Sequence, residues 1–368
     1  MYSFKPTIVL YLFILVLNSI SLNAQVRKYS NEFLSLGIGA RALAMGNAQV
    51  ASVSDVTSAY WNPAALVHTK NDLQFGLMHA EYFAGIAKYD YGGIVLPMEN
   101  EKSFLGLTVI RFAIDDIPNT LFLVEPDGSI NYNNISSFSA ADYAFIFSFA
   151  QLSNIEHLSW GANFKIVHRV VGDFARSWGF GLDASAQYRP GSWRFGAMLK
   201  DVTSTFNAWS FSFSDEEKEI LSATDNLIPD NTLELTMPKL IVGAGYEWVF
   251  KKNFYVRPEV NMDVSTDGKR NVLFNLKPFS FDPHIGLELA FRDVVFVRTG
   301  LNNYQTATSD FDNSMIRTIQ PNFGIGLKIK SITIDYALTD VGDLSQSMYS
   351  HIFSVFVDIN KKNEGTEE

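Results

Sequence analysis

The stretch NFGIGLKIK, residues 322–330, decides the fold class. Phe323, Ile325, Leu327 and Ile329 are apolar, while Gly324, Gly326, Lys328 and Lys330 between them are small or charged. A period of two marks a strand whose faces meet different surroundings. The neighbouring stretch repeats the pattern, with Ile332, Ile334, Tyr336 and Leu338 against Thr333, Asp335 and Ala337. Upstream, Phe254, Val256, Pro258, Val260 and Met262 alternate with Tyr255, Arg257, Glu259, Asn261 and Asp263. Leu240, Val242, Ala244, Tyr246 and Trp248 do the same against Ile241, Gly243, Gly245 and Glu247.

A soluble sandwich alternates too, so strand and loop lengths must decide. Membrane strands need about 9–11 residues, whereas soluble strands average about 5–6. From Asp72 onward alternation persists over about fourteen segments, most of them near membrane-spanning length. They run from residues 72–80 and 89–97, through 192–200 and 238–249, to 350–359. After even-numbered segments the link is a few residues, such as 189–191 or 250–252. After odd-numbered ones it is usually long: 113–138, 201–237, 264–282 and 302–319. Short turns at one rim and long loops at the other are the pattern of an outer-membrane barrel, and a sandwich has no reason to sort its loops by parity. The expectation is an all-β fold, a transmembrane antiparallel barrel of about fourteen strands over residues 72–359 followed by a polar tail at 360–368.

Composition agrees. Charged residues make up 18% of the 368 and aromatics 14%, yet beyond the first two dozen residues no apolar run approaches the roughly 18 that a membrane helix needs. Strands are then the remaining way to cross a bilayer. Without cysteine there is no disulfide framework, thiolate nucleophile or lipoprotein anchor. A formal charge of −10 excludes the basic footprint of a nucleic-acid binder. The start reads as an export signal, with Lys5, the apolar run IVLYLFILVL at 8–17, and Leu22-Asn23-Ala24 before Gln25. Residues 1–24 are therefore expected to be a cleaved signal peptide, with the cell outer membrane and its lipids as the destination.

The polar strand faces, with Arg257, Glu259, Glu247, Glu288, Asp335, Lys328 and Arg298, would point into the lumen. Their mixed signs suggest ion pairs in a filled interior. Residues 25–71 do not alternate. GARALAMG at 39–46 suits a helix, and YWNPAAL at 60–66 suits a turn before a helical start, because a residue preceding proline avoids the α region. This segment reads as a hatch folded into the lumen. Arg41 would pair there with a carboxylate such as Glu247 or Glu259, and Trp61, Asn62 and Pro63 would form the hatch motif.

Two loops carry candidate partner-binding residues. Leu121, Phe122 and Leu123 are apolar where water is expected, which suggests partner contact or insertion into the barrel mouth. In 201–237, Ser214 followed by Glu217 fits a capping box that opens a short helix bearing Glu216, with Ile220 and Leu221 on an apolar side. The six histidines, among them His68, His79, His168 and His351, lack metal-ligand spacing, and no nucleophile elbow frames a serine. No enzyme, metal or cofactor is expected.

The run GARALAMGNAQVASVSDVTSAYWNPAAL, residues 39–66, resembles the opening signature of the PorV/PorQ family of Bacteroidetes outer-membrane proteins, itself similar to the FadL class of barrels. Weaker likeness continues in DPHIGLE (282–288), VRTGL (297–301), Asp335-Tyr336-Ala337, Gly342-Asp343-Leu344 and His351. Asn47 and Gln49 stand where the family has small or apolar residues, and Ala65 where glycine is usual. The resemblance implies a fourteen-stranded barrel with an N-terminal hatch and a role in the type IX secretion system. There such a protein binds the C-terminal signal domains of secreted cargo or the partners of a surface attachment complex. A FadL-like transporter of hydrophobic small molecules is the alternative. An apolar lumen pocket and a wall opening would favour transport, and a plugged lumen with apolar outer loops would favour protein binding.

Overall fold

The outward residues of the strands are apolar and exposed, among them Leu77, Leu107, Phe164, Leu182, Ile325 and Phe353, while their inward neighbours are buried. In water that arrangement would forfeit the hydrophobic driving force of folding; against hydrocarbon it is the stable one. The computed structural model describes residues 30–69, 72–99, 102–125, 127–251, 253–268, 270–276, 278–308, 314–339 and 349–360. The expected signal peptide at 1–24 and all but the first residue of the expected tail lie outside them.

Fourteen antiparallel strands close into one ring. They are β1 (Leu73–Tyr82), β2 (Ala87–Pro97), β3 (Ser103–Asn119), β4 (Ser136–Leu152), β5 (Leu158–Val171) and β6 (Ala175–Tyr188). β7 has two segments (Trp193–Lys200 and Thr205–Phe211) and β8 three (Thr232–Thr236, Lys239–Tyr246 and Trp248–Phe250). β9 (Phe254–Ser265), β10 (Phe279–Phe291), β11 (Val295–Thr308), β12 (Met315–Ile329), β13 (Ile332–Thr339) and β14 (Ser350–Ile359) complete it. β14 pairs with β1, Ile359 opposite Leu73 and His351 opposite Glu81, so the sheet has no open edge. Exposed Trp160, Tyr188, Trp193 and Trp248 ring the short-turn end, the position of an interfacial aromatic girdle.

The strands run further into the long-loop rim than alternation indicates. Residues 113–119 and 136–138 belong to β3 and β4, leaving a loop of 120–135. The stretch expected as the loop 201–237 contains the second segment of β7 and the first of β8. Similarly, residues 279–282, 302–308 and 315–319 extend β10, β11 and β12. Nor is every odd-numbered link long, because 83–86 join β1 to β2 and 172–174 join β5 to β6. Above the hydrocarbon both strand faces meet polar surroundings, so the period-two signal fades while backbone pairing continues.

Several strands are kinked. β3 shifts register between Ile114 and Ile117, and β11 between Asn302 and Gln305. β7 breaks at 201–204, where Asp201 and Ser204 take positive φ of 56° and 57°, and β8 breaks beside Pro238, which has no N–H for a ladder.

Residues 30–69 fill the lower lumen. They form α1 (Ala40–Ala44), α2 (Ser58–Trp61) and 3-10 turns at Glu32–Ser35 and Pro63–His68. Too short to satisfy their own backbone groups, these elements bond to the wall instead. Ala40 N donates to Ser354 Oγ of β14 (2.7 Å), Ala51 N to Glu259 Oε1 of β9 (2.8 Å), and Val56 N to Gln74 Oε1 of β1 (2.6 Å). Ala64 N donates to Ser185 Oγ of β6 (2.9 Å), while Tyr89 Oη of β2 donates to the Phe33 carbonyl (2.9 Å). A segment that touches inward faces all round a ring lies inside it. Wall glycines permit this closeness: a Cβ on Gly161 would sit 2.4 Å from Ala64 N, and one on Gly196 2.2 Å from Val50 O.

Candidate functional site

Three layers stack along the lumen, and the lowest is ionic. Strand register places Glu288 opposite both Arg257 and Arg298. The buried Glu288 carboxylate accepts from Arg298 Nε (2.7 Å), Arg41 Nε (2.9 Å) and Arg257 Nη1 (3.1 Å). Arg298 continues to Asp335 (2.5 Å), and Arg257 to Glu247 (2.7 Å) and Asp293 (2.9 Å). The partner of Arg41 is thus Glu288 rather than Glu247 or Glu259. Glu259 is taken by the hatch backbone at Ala51, and Glu247 by Arg257 and Arg194. Burial works against the charge on Arg41, but Glu288 outweighs it and holds the guanidinium above its ordinary pKa. Such closely paired charges lock the hatch to the wall.

Above the hatch lies a vestibule of about 640 Å³ bordered by Tyr60 and Trp61. Its charged groups are largely matched. Lys165 Nζ sits between Asp183 (2.7 Å) and Asp201 (2.6 Å), Lys239 reaches Asp263 (3.1 Å), and Arg270 reaches Glu32 (3.0 Å) and Asp267. The Lys200 ammonium rests over the Tyr60 ring at 4.0 Å, a cation–π contact. Amides complete the lining: Asn322 Nδ2 donates to Asn302 Oδ1 (2.8 Å), and Asn31 Nδ2 to Thr236 Oγ1 (2.8 Å). Asn47 Oδ1 and Asp282 Oδ1, also at this cavity, are buried with no hydrogen-bond partner.

The top layer is apolar. A pocket of about 410 Å³ in the mouth is lined by Leu121, Val171, Phe174, Trp209, Phe211 and Leu221. Leu221 comes from α3 (Asp215–Ala223), which is opened by a complete capping box between Ser214 and Glu217. Trp209 is fixed by its indole N–H on Glu234 (2.8 Å) and by Arg169 over its ring at 5.0 Å. Between this pocket and the vestibule, Asn207 Nδ2 donates to Asn31 Oδ1 (3.0 Å).

The structure scatters the sequence candidates over these layers. Trp61 borders the vestibule, with its indole N–H on the Ile38 carbonyl (2.9 Å). Asn62 is fully buried, its Nδ2 donating to the carbonyls of Val50 (2.8 Å) and Ala186 (3.3 Å), and Pro63 starts the following 3-10 turn. Neither lines the vestibule or the mouth pocket. Leu121 lines the mouth pocket; Phe122 and Leu123 beside it are half-buried, their carbonyls accepting from Asn134 and Asn131. Glu216 is exposed on α3, and the Glu217 carboxylate is committed to the Ser214 backbone N–H (2.7 Å). Sequence reading missed Trp209 and Phe211, because β7 was taken to end at Lys200, and it missed Lys165, Asp183 and Asp201. Among the described residues no His, Asp or Glu cluster suits a metal ion.

A closed ring of fourteen strands with an apolar outer face and an occupied lumen defines an outer-membrane β-barrel of FadL-like architecture. The chain is similar to a solved structure described as the CymD monoaromatic hydrocarbon channel, at 14% identity and a TM-score of 0.55 over 89% of this chain and 98% of that one. It is similar also to the Ralstonia pickettii toluene transporter TbuX (14% identity, TM-score 0.51, 88% and 99% covered). A Pseudomonas aeruginosa FadL homologue matches at 11% identity and a TM-score of 0.51, with 87% and 98% covered. At such identities the likeness carries the fold alone. No protein-family profile matches the chain, and no curated protein does. These structures support the FadL-like half of the sequence resemblance; the PorV/PorQ half and the type IX secretion role gain no support from them.

Proposed function

We propose that this barrel admits small molecules with apolar character across the outer membrane, capturing them first in the mouth pocket. The observation that carries this reading is the pocket itself, an apolar concavity in the water-facing mouth with a rigidly held indole at its wall. Burying about 150 Å² of apolar ligand surface there is worth about 4 kcal/mol, which is millimolar affinity. Weak capture suits a site that must release its ligand inward. The descriptions of the similar structures as a hydrocarbon channel and a toluene transporter lend support. No residue is required to make or break a covalent bond.

The test is uptake of labelled toluene into liposomes that carry the full chain. Entry several-fold faster than into empty liposomes is expected, and replacement of Trp209 and Phe211 by alanine is expected to remove most of the gain. Accumulation no faster than in empty liposomes refutes the reading. Heat-modifiable gel migration serves to show that each variant is folded.

A second reading is favoured by the exposure of Val124, Tyr132, Leu227 and Met315 at the long-loop rim. There the barrel would dock a protein, such as the C-terminal signal domain of secreted cargo or an attachment-complex partner, using Leu121–Leu123 and Glu216. A tagged cargo domain should then recover the barrel from solubilised membranes; recovery of neither cargo nor attachment partners sinks that reading.

A further inference from the structure

We propose that the carried molecule is a neutral amphiphile with hydroxyl groups, of the chemical class of an aryl glycoside, rather than a bare hydrocarbon or an acid. This rests on the transport reading above and names the substrate class for the same route.

The two cavities are close enough for one ligand to meet both. Trp209 in the mouth pocket and Asn207 in the layer beneath it are two residues apart on the inward face of β7, which is about 7 Å of strand. An aromatic or alkyl body fits the upper cavity, whose wall is Leu121, Val171, Phe174, Trp209, Phe211 and Leu221. The part that follows enters a vestibule of opposite character. A hydrocarbon entering there would desolvate Asn, Thr, Lys and Asp side chains and return no hydrogen bond to them, at a cost of about 1–3 kcal/mol for each group left unpaired.

Charge excludes an acidic head. Six carboxylates line the vestibule (Glu32, Asp183, Asp201, Asp263, Asp267 and Asp282) against four fixed cations, Lys165, Lys200, Lys239 and Arg270. Three of the cations are already held by carboxylates, and Lys200 is held over the Tyr60 ring. His284, the remaining titratable lining group, faces Asp263 and Asp282, both at 3.8 Å. An incoming carboxylate would add charge of the sign already in excess.

The unmet hydrogen bonds then select the head group. Asn47 Oδ1 and Asp282 Oδ1 are buried acceptors without a partner, so what the cavity lacks is donors. An alcohol or sugar hydroxyl supplies a donor without a charge, and its own oxygen can accept in turn from a side-chain amide such as that of Asn302. A carboxylate supplies no donor, and a hydrocarbon supplies neither donor nor acceptor.

Binding to the full-length barrel in lipid nanodiscs, measured by equilibrium dialysis, separates the classes. The probes are p-nitrophenyl glucoside, toluene, p-nitrobenzoate and glucose. The glucoside should bind at least tenfold more tightly than each of the other three. Asn47→Gly removes the orphan acceptor while suiting the positive φ of 66° at that position, and it should weaken glucoside binding about fivefold and leave toluene unchanged. Asp282→Asn keeps an acceptor oxygen and should retain glucoside binding. Tighter binding of nitrobenzoate or toluene, glucose binding as tight as the glucoside, or an Asn47→Gly variant with unaltered glucoside affinity each overturns the proposal. If toluene binds and enters liposomes while the glucoside does neither, the substrate class falls and the transport reading stands. If no probe binds or enters, both fall.

Discussion

Glu288→Gln removes one negative charge from among three guanidiniums and leaves the side-chain volume unchanged. At the 2.9 Å separation from Arg41 and an effective dielectric constant of about 20, one such pair interacts by about 6 kcal/mol. Desolvation offsets part of that, and breaking a buried pair by losing one partner costs about 3–5 kcal/mol net. The loss falls unevenly. Arg298 retains Asp335, and Arg257 retains Glu247 and Asp293, whereas Arg41 keeps only the long contact to Ser52 at 3.4 Å. Glutamine can still accept a hydrogen bond, so about 3 kcal/mol is expected, concentrated in the hatch. Hydrogen exchange in nanodiscs reads this directly: amides of α1 and the residues after it should exchange about 100-fold faster, while those of β10 and β11 change little. Adding Arg41→Met removes the stranded cation, so the double variant should lose about 1–3 kcal/mol less than the sum of the single losses. Exchange in α1 within twofold of the native rate, or strict additivity, would refute the latch.

Gly161→Val places side-chain carbon against the Ala64 backbone, where even a Cβ would lie 2.4 Å from the nitrogen. The hatch should be displaced at a cost of about 1–3 kcal/mol, seen as faster proteolysis within 30–69 while heat-modifiability persists; an unchanged cleavage rate counts against the packing described. His68 is pushed down to about 3 by burial, with Arg189 and Arg194 adding to the effect. Its folded pKa lies below the ordinary 6.5, so its contribution is intact above that pH and is lost as pH falls towards 3, by about 1.4 kcal/mol per unit. Hatch amides should therefore exchange progressively faster below pH 6.5, and His68→Gln should flatten that dependence. An identical pH profile in the variant would remove His68 as its cause.

Much of the barrel was legible because lipid imposes a pattern on single strands. Residues 322–330 and 332–338 alternate since one face meets hydrocarbon and the other a filled lumen. That signal ends with the bilayer, which is why Thr205–Phe211 and Thr232–Thr236 were read as loop. The helix at Asp215–Ala223 was legible from Ser214 and Glu217, since a capping box is local chemistry. Partner choice in the lumen was not. Lys165 meets Asp183 and Asp201 only because β5 and β6 pair with Asn163 opposite Asp183 and the β7 kink brings in Asp201. Arg41 found Glu288 rather than Glu247 through register across β9, β10 and β11, which no short window of sequence contains.

The bonds of Val56 bear on how such a molecule is made. Its N–H donates to Gln74 on the first strand, and Gln74 Nε2 donates to Asp358 Oδ1 on the last (2.5 Å). Ala40 reaches the last strand as well, through Ser354. The seam that zips the cylinder shut therefore runs through the plug, and the earliest-translated part of the hatch is anchored by the final strand to arrive. Sealing the wall and seating the stopper are one cooperative event in assembly, so a precursor halted before β14 is a barrel with neither.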